Sequence, residues 1–113
     1  MNKIITYKEF EAVDIRVGTI ISTEKNLKLN KPSIILKIDF GEKIGIKKSS
    51  AQLTQNYKSK DLINKQIAAV VNFKSIQIGN LMSEVLVLGF PDKTNAPILI
   101  EPNKMIPNGG KLF

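Results

Sequence analysis

The sequence predicts a small all-β domain, and three observations carry this prediction. Apolar and polar residues alternate over two long stretches, and Pro and Gly lie between the apolar runs, where turns belong. Only two short segments have the spacing or capping residues of a helix. With 113 residues, of which 42% are hydrophobic, the chain can bury one core. We therefore expect a single domain over residues 1–113.

The first predicted elements are a short helix and a long strand. Thr6 and Glu9 have the spacing of a capping box, which predicts a helix from Tyr7 to Glu11 with Phe10 facing inward. From Val13 onward the period of the pattern changes to two. One face of the strand is predicted to hold Val13, Ile15, Val17, Thr19 and Ile21, and the other Asp14, Arg16, Gly18 and Ser22.

The middle of the chain contains two further strands and a helical connection. After a lysine-rich loop at residues 25–31, a second strand is predicted to place Ile34, Leu36, Ile38 and Phe40 inward. A short third strand is predicted to start at Glu42 and to pass through Ile44 and Ile46. Residues 49–65 have nearer helical spacing, with Ser49 or Ser50 available as N-cap, so we expect a short helix or two turns.

Strand character returns in the second half, at residues 66–73 and 84–90, with a further strand at residues 98–100. The continuous apolar run over residues 85–88 indicates burial on both faces. Three strands, a helical connection and two strands is the order of a five-stranded OB-fold, a Greek-key barrel with one ligand-binding face. Short helices and C-terminal extension strands would complete it. A two-layer α+β sheet is the alternative.

The composition excludes most catalytic chemistry. The chain has neither histidine nor cysteine, so it cannot build a disulfide, a Ser-His-Asp triad or an ordinary nitrogen and sulfur zinc site. Phosphate-binding GxxxxGK[ST] and GxGxxG motifs are missing as well. Asp39 and Glu42 flank a turn, where charged residues are normally solvated. We expect a non-enzymatic, cytoplasmic protein with no cofactor, no metal, no signal peptide and no membrane insertion.

The net charge of +7 indicates an anionic partner, with nucleic acid first and an acidic polypeptide or membrane surface second. A biased base composition can explain part of the total, but local clusters are separate evidence. Lys25, Lys28 and Lys31 lie in the first loop, and Lys74 follows Phe73. Both loops border the ligand groove of an OB barrel and are predicted to form one rim, which suits a phosphate backbone.

Aromatic side chains that could stack on bases are scarce. We expect Phe10, Phe40 and Phe90 in the core, which leaves Phe73 and Tyr57 as candidates for stacking, with core packing as the alternative for both.

The run GNLMSE at residues 79–84 lies between two predicted strands. Exposed Leu81 and Met82 would adapt to varied apolar partners, as a peptide-binding surface requires. The alternative is that both side chains plug one end of the barrel.

Five segments together carry a family resemblance. They are DIRVGTI (14–20), IDFG (38–41), SSAQLTQNY (49–57), VVNF (70–73) and QIGNLMSEVLVLGF (77–90). In order and spacing they resemble the CsaA family of protein-export chaperones, within the wider family of tRNA-binding domains also found in methionyl- and phenylalanyl-tRNA synthetases. The resemblance implies an OB-fold, no catalysis, and a homodimer formed through the N-terminal helix and C-terminal strands. It also implies two kinds of ligand, tRNA and unfolded preprotein.

Two places depart from the family pattern. The synthetase-linked domains have a motif resembling G-x-x-S-x-G-M, in which Gly79 and Ser83 match whereas Val85 and Leu86 replace Gly-Met. The Lys-Ser-Ile sequence at residues 74–76 stands where a Pro-Pro-Arg-like sequence is expected. This change removes the stiffness of proline and the planar donor of arginine.

We therefore predict two functions that do not exclude each other. The first is binding of tRNA or another structured RNA through a basic groove, and the second is chaperone binding of unfolded preprotein or peptide segments in that groove. The candidate contact residues are Lys25, Lys28, Lys31, Asn72, Phe73, Lys74, Met82, Ser83 and Glu84.

Overall fold

The computed structural model describes residues 3–26 and 32–113, which contain two short helices and nine strands. In chain order these are α1 (Tyr7–Glu11), β1 (Ile15–Asn26), β2 (Ser33–Asp39), β3 (Ile46–Ala51), α2 (Ser59–Leu62), β4 (Gln66–Val70), β5 (Ile76–Ile78), β6 (Leu81–Ser83), β7 (Leu86–Val87), β8 (Gly89–Pro91) and β9 (Pro97–Leu99). Over these ranges neither helix is long and apolar enough to cross a membrane.

Five strands form one curled antiparallel sheet in the order β3-β2-β1-β4-β7. Two hairpins, β5–β6 and β8–β9, extend it. The long β1 makes the curl possible, because its first half pairs with β4 and its second half with β2. The predicted OB-fold is confirmed. The α+β alternative is wrong, since α1 and α2 have only five and four residues and are too short to form a second layer over the sheet.

The capping box of α1 is confirmed. The backbone N–H of Glu9 donates to Thr6 Oγ1 at 3.2 Å, and the N–H of Thr6 donates to Glu9 Oε1 at 3.1 Å. Both bonds satisfy N–H groups that the first helical turn would otherwise leave free. No residue of this helix is fully buried, so Phe10 is only a half-buried anchor.

The inward face of β1 was predicted one residue out of phase at its centre. Ile20 is fully buried, whereas Ile21 is exposed. Gly18, which the alternation assigned to the outer face, also faces the core, because a Cβ there would meet Ile38 and Phe40. The core face of β1 is thus the opposite one from the prediction before the register shifts between Ile20 and Ser22.

The inward face of β2 is confirmed, because Ile34, Leu36, Ile38 and Phe40 are all buried. Burial of each such side chain contributes roughly 1.5–3 kcal/mol before the entropy of ordering is subtracted. Gly18 lies directly above two of these residues. A Cβ at Gly18 would be 2.6 Å from Ile38 Cγ2 and 2.7 Å from Phe40 Cδ1, so only glycine allows this close approach.

The third strand and the mid-chain helix differ from the prediction. Residues 42–44 form a turn between Gly41 and Gly45, both with positive φ, and β3 starts only at Ile46. Ser49 and Ser50 lie in this strand and are not helix caps. The Ser49 hydroxyl donates to Val85 O at 3.3 Å, so it joins β3 to the residues between β6 and β7. The helix α2 begins later, at Ser59.

The second half of the chain is more broken than the pattern indicates. β4 ends at Val70, and the run over residues 84–90 is divided between β7 and β8. Leu86 and Phe90 are exposed, so neither the two-sided burial of the run nor the core position of Phe90 holds. The β5–β6 hairpin was not predicted, because its strands have three residues each.

The C-terminal residues close the barrel beside β1. The backbone N–H of Gly109 donates to Val17 O at 2.8 Å, and the N–H of Leu112 donates to Ile15 O at 2.8 Å. Buried Gln66 reinforces this closure, since its Nε2 donates to Ile106 O at 2.7 Å and its Oε1 accepts from the N–H of Ile106 at 3.0 Å. The start of β1 is therefore flanked by β4 on one side and by the chain end on the other.

Candidate ligand-binding groove

An apolar groove of about 230 Å³ lies between β3, the β5–β6 hairpin and β7. Most of its lining is aliphatic, and Phe73 contributes an aromatic ring. The apolar lining includes Leu53, Phe73, Ile76, Ile78, Val85, Leu86 and Leu99. Leu86, which replaces the methionine of the related motif, thus still presents an apolar side chain to the groove. We call this feature the apolar groove.

Ser83 and Glu84 form one wall of the apolar groove by holding the outer edge of β3. The backbone N–H of Ser50 donates to Ser83 Oγ at 3.2 Å. The N–H of Lys48 donates to Glu84 Oε1 at 2.9 Å, while the N–H of Glu84 donates to Lys48 O at 2.8 Å. Ser83 is buried as well. The polar atoms of these two candidate residues therefore already have partners within the fold.

Asn72 has a similar internal role. Its Oδ1 accepts from the backbone N–H of Asp14 at 3.0 Å, and its Nδ2 donates to Ala12 O at 2.8 Å. The side chain thus ties the loop after β4 to the segment that joins α1 to β1. Both ends of the amide are occupied, so Asn72 positions the loop that carries Phe73 and Lys74.

Asn72, Phe73, Lys74 and Met82 are the exposed members of the candidate set on this side of the barrel. Phe73 is 43% exposed and Met82 48% exposed. Met82 therefore does not plug the barrel end, and Phe73 is not a core residue. Tyr57, the other candidate for stacking, is instead a packing residue. It packs against the core, and its hydroxyl accepts from the backbone N–H of Leu99 at 3.0 Å.

Of the lysines expected to share a rim, the described residues place Lys25 and Lys74 near opposite ends of β1. Ile15 pairs with Val70, so Lys74 follows the strand end that lies beside the start of β1. Lys25 pairs with Ile34 near the other end of β1 and lines a hollow with Lys58 and Lys60. Lys28 and Lys31 lie outside the described residues.

Two lysines that are not among the candidate contacts oppose each other on the outer face. Lys37 of β2 pairs directly with Lys48 of β3, and both are exposed. Neither forms an ion pair with a carboxylate in residues 3–26 and 32–113. Like charges directly opposite in a sheet are destabilising. The alternation placed Lys37 outward, but the pairing depends on a strand register that the sequence does not show.

Several large apolar side chains outside the lining of the apolar groove are exposed. Ile4, Ile5 and Tyr7 around α1 are exposed, as are Phe90 of β8 and Ile98 of β9. Near the chain end, a cavity of about 380 Å³ is lined by Ile15, Ile106, Leu112 and Phe113, among others. Large exposed apolar patches mark interaction sites on soluble domains.

The barrel, the apolar groove beside β3 and the cationic outer face define a binding module of the OB-fold class. The chain belongs to the family described as "Putative tRNA binding domain", whose model matches residues 15–111. Within it, the resemblance to CsaA is confirmed. The CsaA chaperone protein of Picrophilus torridus is 48% identical, with a TM-score of 0.89 over 97% of this chain and 100% of that one.

Further comparisons agree with this placement. The structure of the chaperone CsaA from Bacillus anthracis is 40% identical, with a TM-score of 0.91 over 98% of this chain and 100% of that chain. The methionine–tRNA ligase of Methanococcoides burtonii is 33% identical over 101 residues, which is 89% of this chain. The chain spans only 14% of that ligase, so the similarity concerns one small part of a much larger protein.

Proposed function

We propose that this protein is a non-catalytic RNA-binding module of the cytoplasm, acting as one domain over residues 1–113, whose ligand is tRNA or another structured RNA. The observation that carries the proposal is the opposed pair of Lys37 and Lys48 on the exposed β2–β3 face. A repulsive pair is a cost in the free protein, and a phosphate placed between the two ammonium groups would remove it. The β2–β3 face is also where OB-folds bind oligonucleotides.

The candidate residues divide into two roles in this proposal. Lys25, Lys28, Lys31 and Lys74 would neutralise phosphates, while Phe73 and Met82 would offer apolar contact to unstacked bases. Asn72, Ser83 and Glu84 would act indirectly, because their side chains hold the loops and the β3 edge in place. If Asn72, Ser83 or Glu84 were to contact a base directly, its present hydrogen bonds would have to break.

A titration with fluorescently labelled tRNA tests the proposal. The affinity should fall steeply as salt is raised from about 50 to 200 mM, because each neutralised phosphate adds about 0.7–0.9 to the log–log slope. Unlabelled heparin serves as a polyanion without bases or ribose. The proposal is wrong if heparin displaces tRNA as well as unlabelled tRNA does at equal charge concentration.

A second candidate function is a protein-export chaperone that binds extended segments of unfolded preprotein. The apolar groove favours it, because its aliphatic lining suits apolar side chains of an unfolded polypeptide. The measurement is suppression of aggregation of a denatured client, together with saturable binding of a labelled unfolded preprotein at moderate salt. Competition between that preprotein and tRNA on the same protein shows whether both ligands use one groove.

We also propose a homodimer, in which a second copy covers the exposed apolar surface around α1, β8 and β9. Ile4 is 91% exposed and Phe90 67% exposed, which leaves these side chains without burial in a single chain. Sedimentation equilibrium should give twice the chain mass. The double substitution of Ile4→Lys and Phe90→Lys should yield a folded monomer, and a monomeric wild-type protein at micromolar concentration would remove the proposal.

A further inference from the structure

A hollow of about 460 Å³ lies at the end of the barrel where β1 finishes and α2 begins. Three of its lining residues are lysines, Lys25, Lys58 and Lys60, and Thr54 and Tyr57 lie between them. We call it the lysine pocket. Lys58 and Lys60 belong to none of the segments that carry the family resemblance, and they were not among the candidate contacts.

The charge of the lysine pocket is not neutralised within the described part of the chain. The described residues form three ion pairs, and none of them involves Lys25, Lys58 or Lys60. These pairs are Lys3–Glu9, Arg16–Asp14 and Lys65–Glu101. Asp61 follows Lys60 in the chain but does not line the pocket. Three lysines thus line one hollow, and none of them forms an ion pair with a carboxylate of the described residues, which is a suitable arrangement for an anion.

Ser59 adds a second, independent observation. It also lines the pocket, and its hydroxyl oxygen is buried without a hydrogen-bond partner among the described residues. A buried hydroxyl that lacks a partner costs free energy, roughly 1–3 kcal/mol by mutational data. A ligand oxygen drawn into the pocket would give this hydroxyl an acceptor after a small local adjustment.

A polar hollow lies beside both the lysine pocket and the apolar groove. It is lined by Gln52, Gln55 and Asn95, among others. It shares Gln52 with the apolar groove and Thr54 with the lysine pocket. The three are thus neighbours, with aliphatic residues in the first, amides that can both donate and accept in the second, and lysines in the third.

We propose that the lysine pocket is a phosphate-binding subsite for a single-stranded segment of RNA whose bases lie along the polar hollow and the apolar groove. This inference rests on the proposed RNA-binding function and extends it to a second, distant contact. The sequence of aliphatic, amide and lysine side chains favours RNA over polypeptide. The amides can form hydrogen bonds with base edges, and the lysines can pair with a backbone that carries a charge at every nucleotide. A polypeptide would meet this end only with an acidic segment.

The test uses the full chain and a 5′-fluorescein-labelled 12-nucleotide RNA of mixed sequence, measured by anisotropy over a salt series. The variant is Lys58→Gln with Lys60→Gln. Lys58 precedes α2 but gives it no side-chain hydrogen bond, so the change should leave the fold intact. The matched control is Lys43→Gln with Lys104→Gln, which removes the same charge from exposed positions outside the lysine pocket, the polar hollow and the apolar groove.

We expect the Lys58/Lys60 variant to lower RNA affinity by about 5- to 20-fold at low salt and to reduce the log–log salt slope by about 1.4, or 0.7 for each lost phosphate contact. The control should change the slope by less than half as much. The subsite is overturned, with RNA binding intact, if wild type and variant have equal slopes. Failure of wild-type protein to bind the RNA overturns both the subsite and the proposed function. The RNA assignment is also overturned if the variant loses only an acidic unfolded peptide, which would give the pocket to a polypeptide.

Discussion

Lys48 and Glu84 exchange a pair of hydrogen bonds at the outer edge of β3. The N–H of Glu84 donates to Lys48 O at 2.8 Å, and the N–H of Lys48 donates to the carboxylate of Glu84 at 2.9 Å. A carboxylate thus takes the place of the backbone carbonyl that a neighbouring strand would supply. It holds the wall of the apolar groove where a continuous ladder is missing.

Glu84→Ala should lower the free energy of unfolding by about 0.5–1.5 kcal/mol, because the N–H of Lys48 loses its acceptor at a partly exposed site. Glu84→Gln keeps an acceptor oxygen and should recover at least half of that loss. Urea denaturation followed by circular dichroism measures both. Equal losses in the two variants would mean that the carboxylate acts by its charge and not as an acceptor.

Lys37→Glu should separate stability from RNA binding. It converts a like-charged pair with Lys48 into an opposite-charged one, which stabilises the sheet by about 0.2–1 kcal/mol. RNA affinity should fall in the same protein. Lys43→Glu, in the turn before β3, is the matched charge reversal and should not raise the melting temperature. If Lys37→Glu instead lowers the melting temperature, the two lysines do not repel each other in the free protein.

Gly18→Ala should be strongly destabilising, because its new methyl group would overlap Ile38 and Phe40 in a closed core. The expected loss is about 1–3 kcal/mol or more, as for other overpacked cores. Gly110→Ala is the control, since its Cβ would meet its nearest atom at 3.7 Å, an ordinary contact. Thermal unfolding of the two variants distinguishes a steric effect from a general cost of removing glycine.

The turn between β8 and β9 should weaken in acid. Hydrogen bonds from Asn56, then from Thr94 and Ala96, lower the pKa of Asp92 from its ordinary value of 3.8 to about 2. Because the folded-state pKa is depressed, the stabilisation is fully present above pH 3.8 and is lost as the pH falls through about 2.

Asp92→Asn should accordingly have a lower melting temperature than wild type at pH 5, and the difference should shrink as the pH approaches 2. Asp61→Asn, at an exposed carboxylate with no hydrogen bond in the described residues, is the control. A wild-type advantage over Asp92→Asn that does not change between pH 5 and pH 2 would show that the carboxylate charge is irrelevant to the turn.

The sequence predicted those parts of the fold that depend on local pattern. The inward face of β2 and the capping box of α1 follow from residues two or three apart, and both are confirmed. The inward face of β1 was wrong, because Val17 and Ile20 lie on opposite faces and are both buried, so alternation alone does not show which face holds the core. Ser49 and Ser50 were mistaken for helix caps since a serine hydroxyl serves a cap and a cross-barrel bond equally well.

The candidate site was harder to predict because its parts are distant in sequence. The exposure of Phe73 and Met82 agrees with their proposed roles, but Asn72 and Glu84 proved to have partners 60 and 36 residues away. The opposition of Lys37 and Lys48 and the gathering of Lys58 and Lys60 beside Lys25 depend on strand register and on the path of the chain after β3. Single residues do not carry that information.

The contacts of residues 106–112 with β1 and β4 determine when the barrel can close during synthesis of the chain. Gln66 and Val17 find their partners only when Ile106 and Gly109 have left the ribosome, so the barrel cannot close before these residues emerge. Until then β1 has one open edge, and the nascent protein exposes the same kind of unpaired strand that chaperones protect in others. Pulse-labelled nascent chains arrested before residue 106 should accordingly be cut by protease within β1, and chains arrested well beyond it should resist.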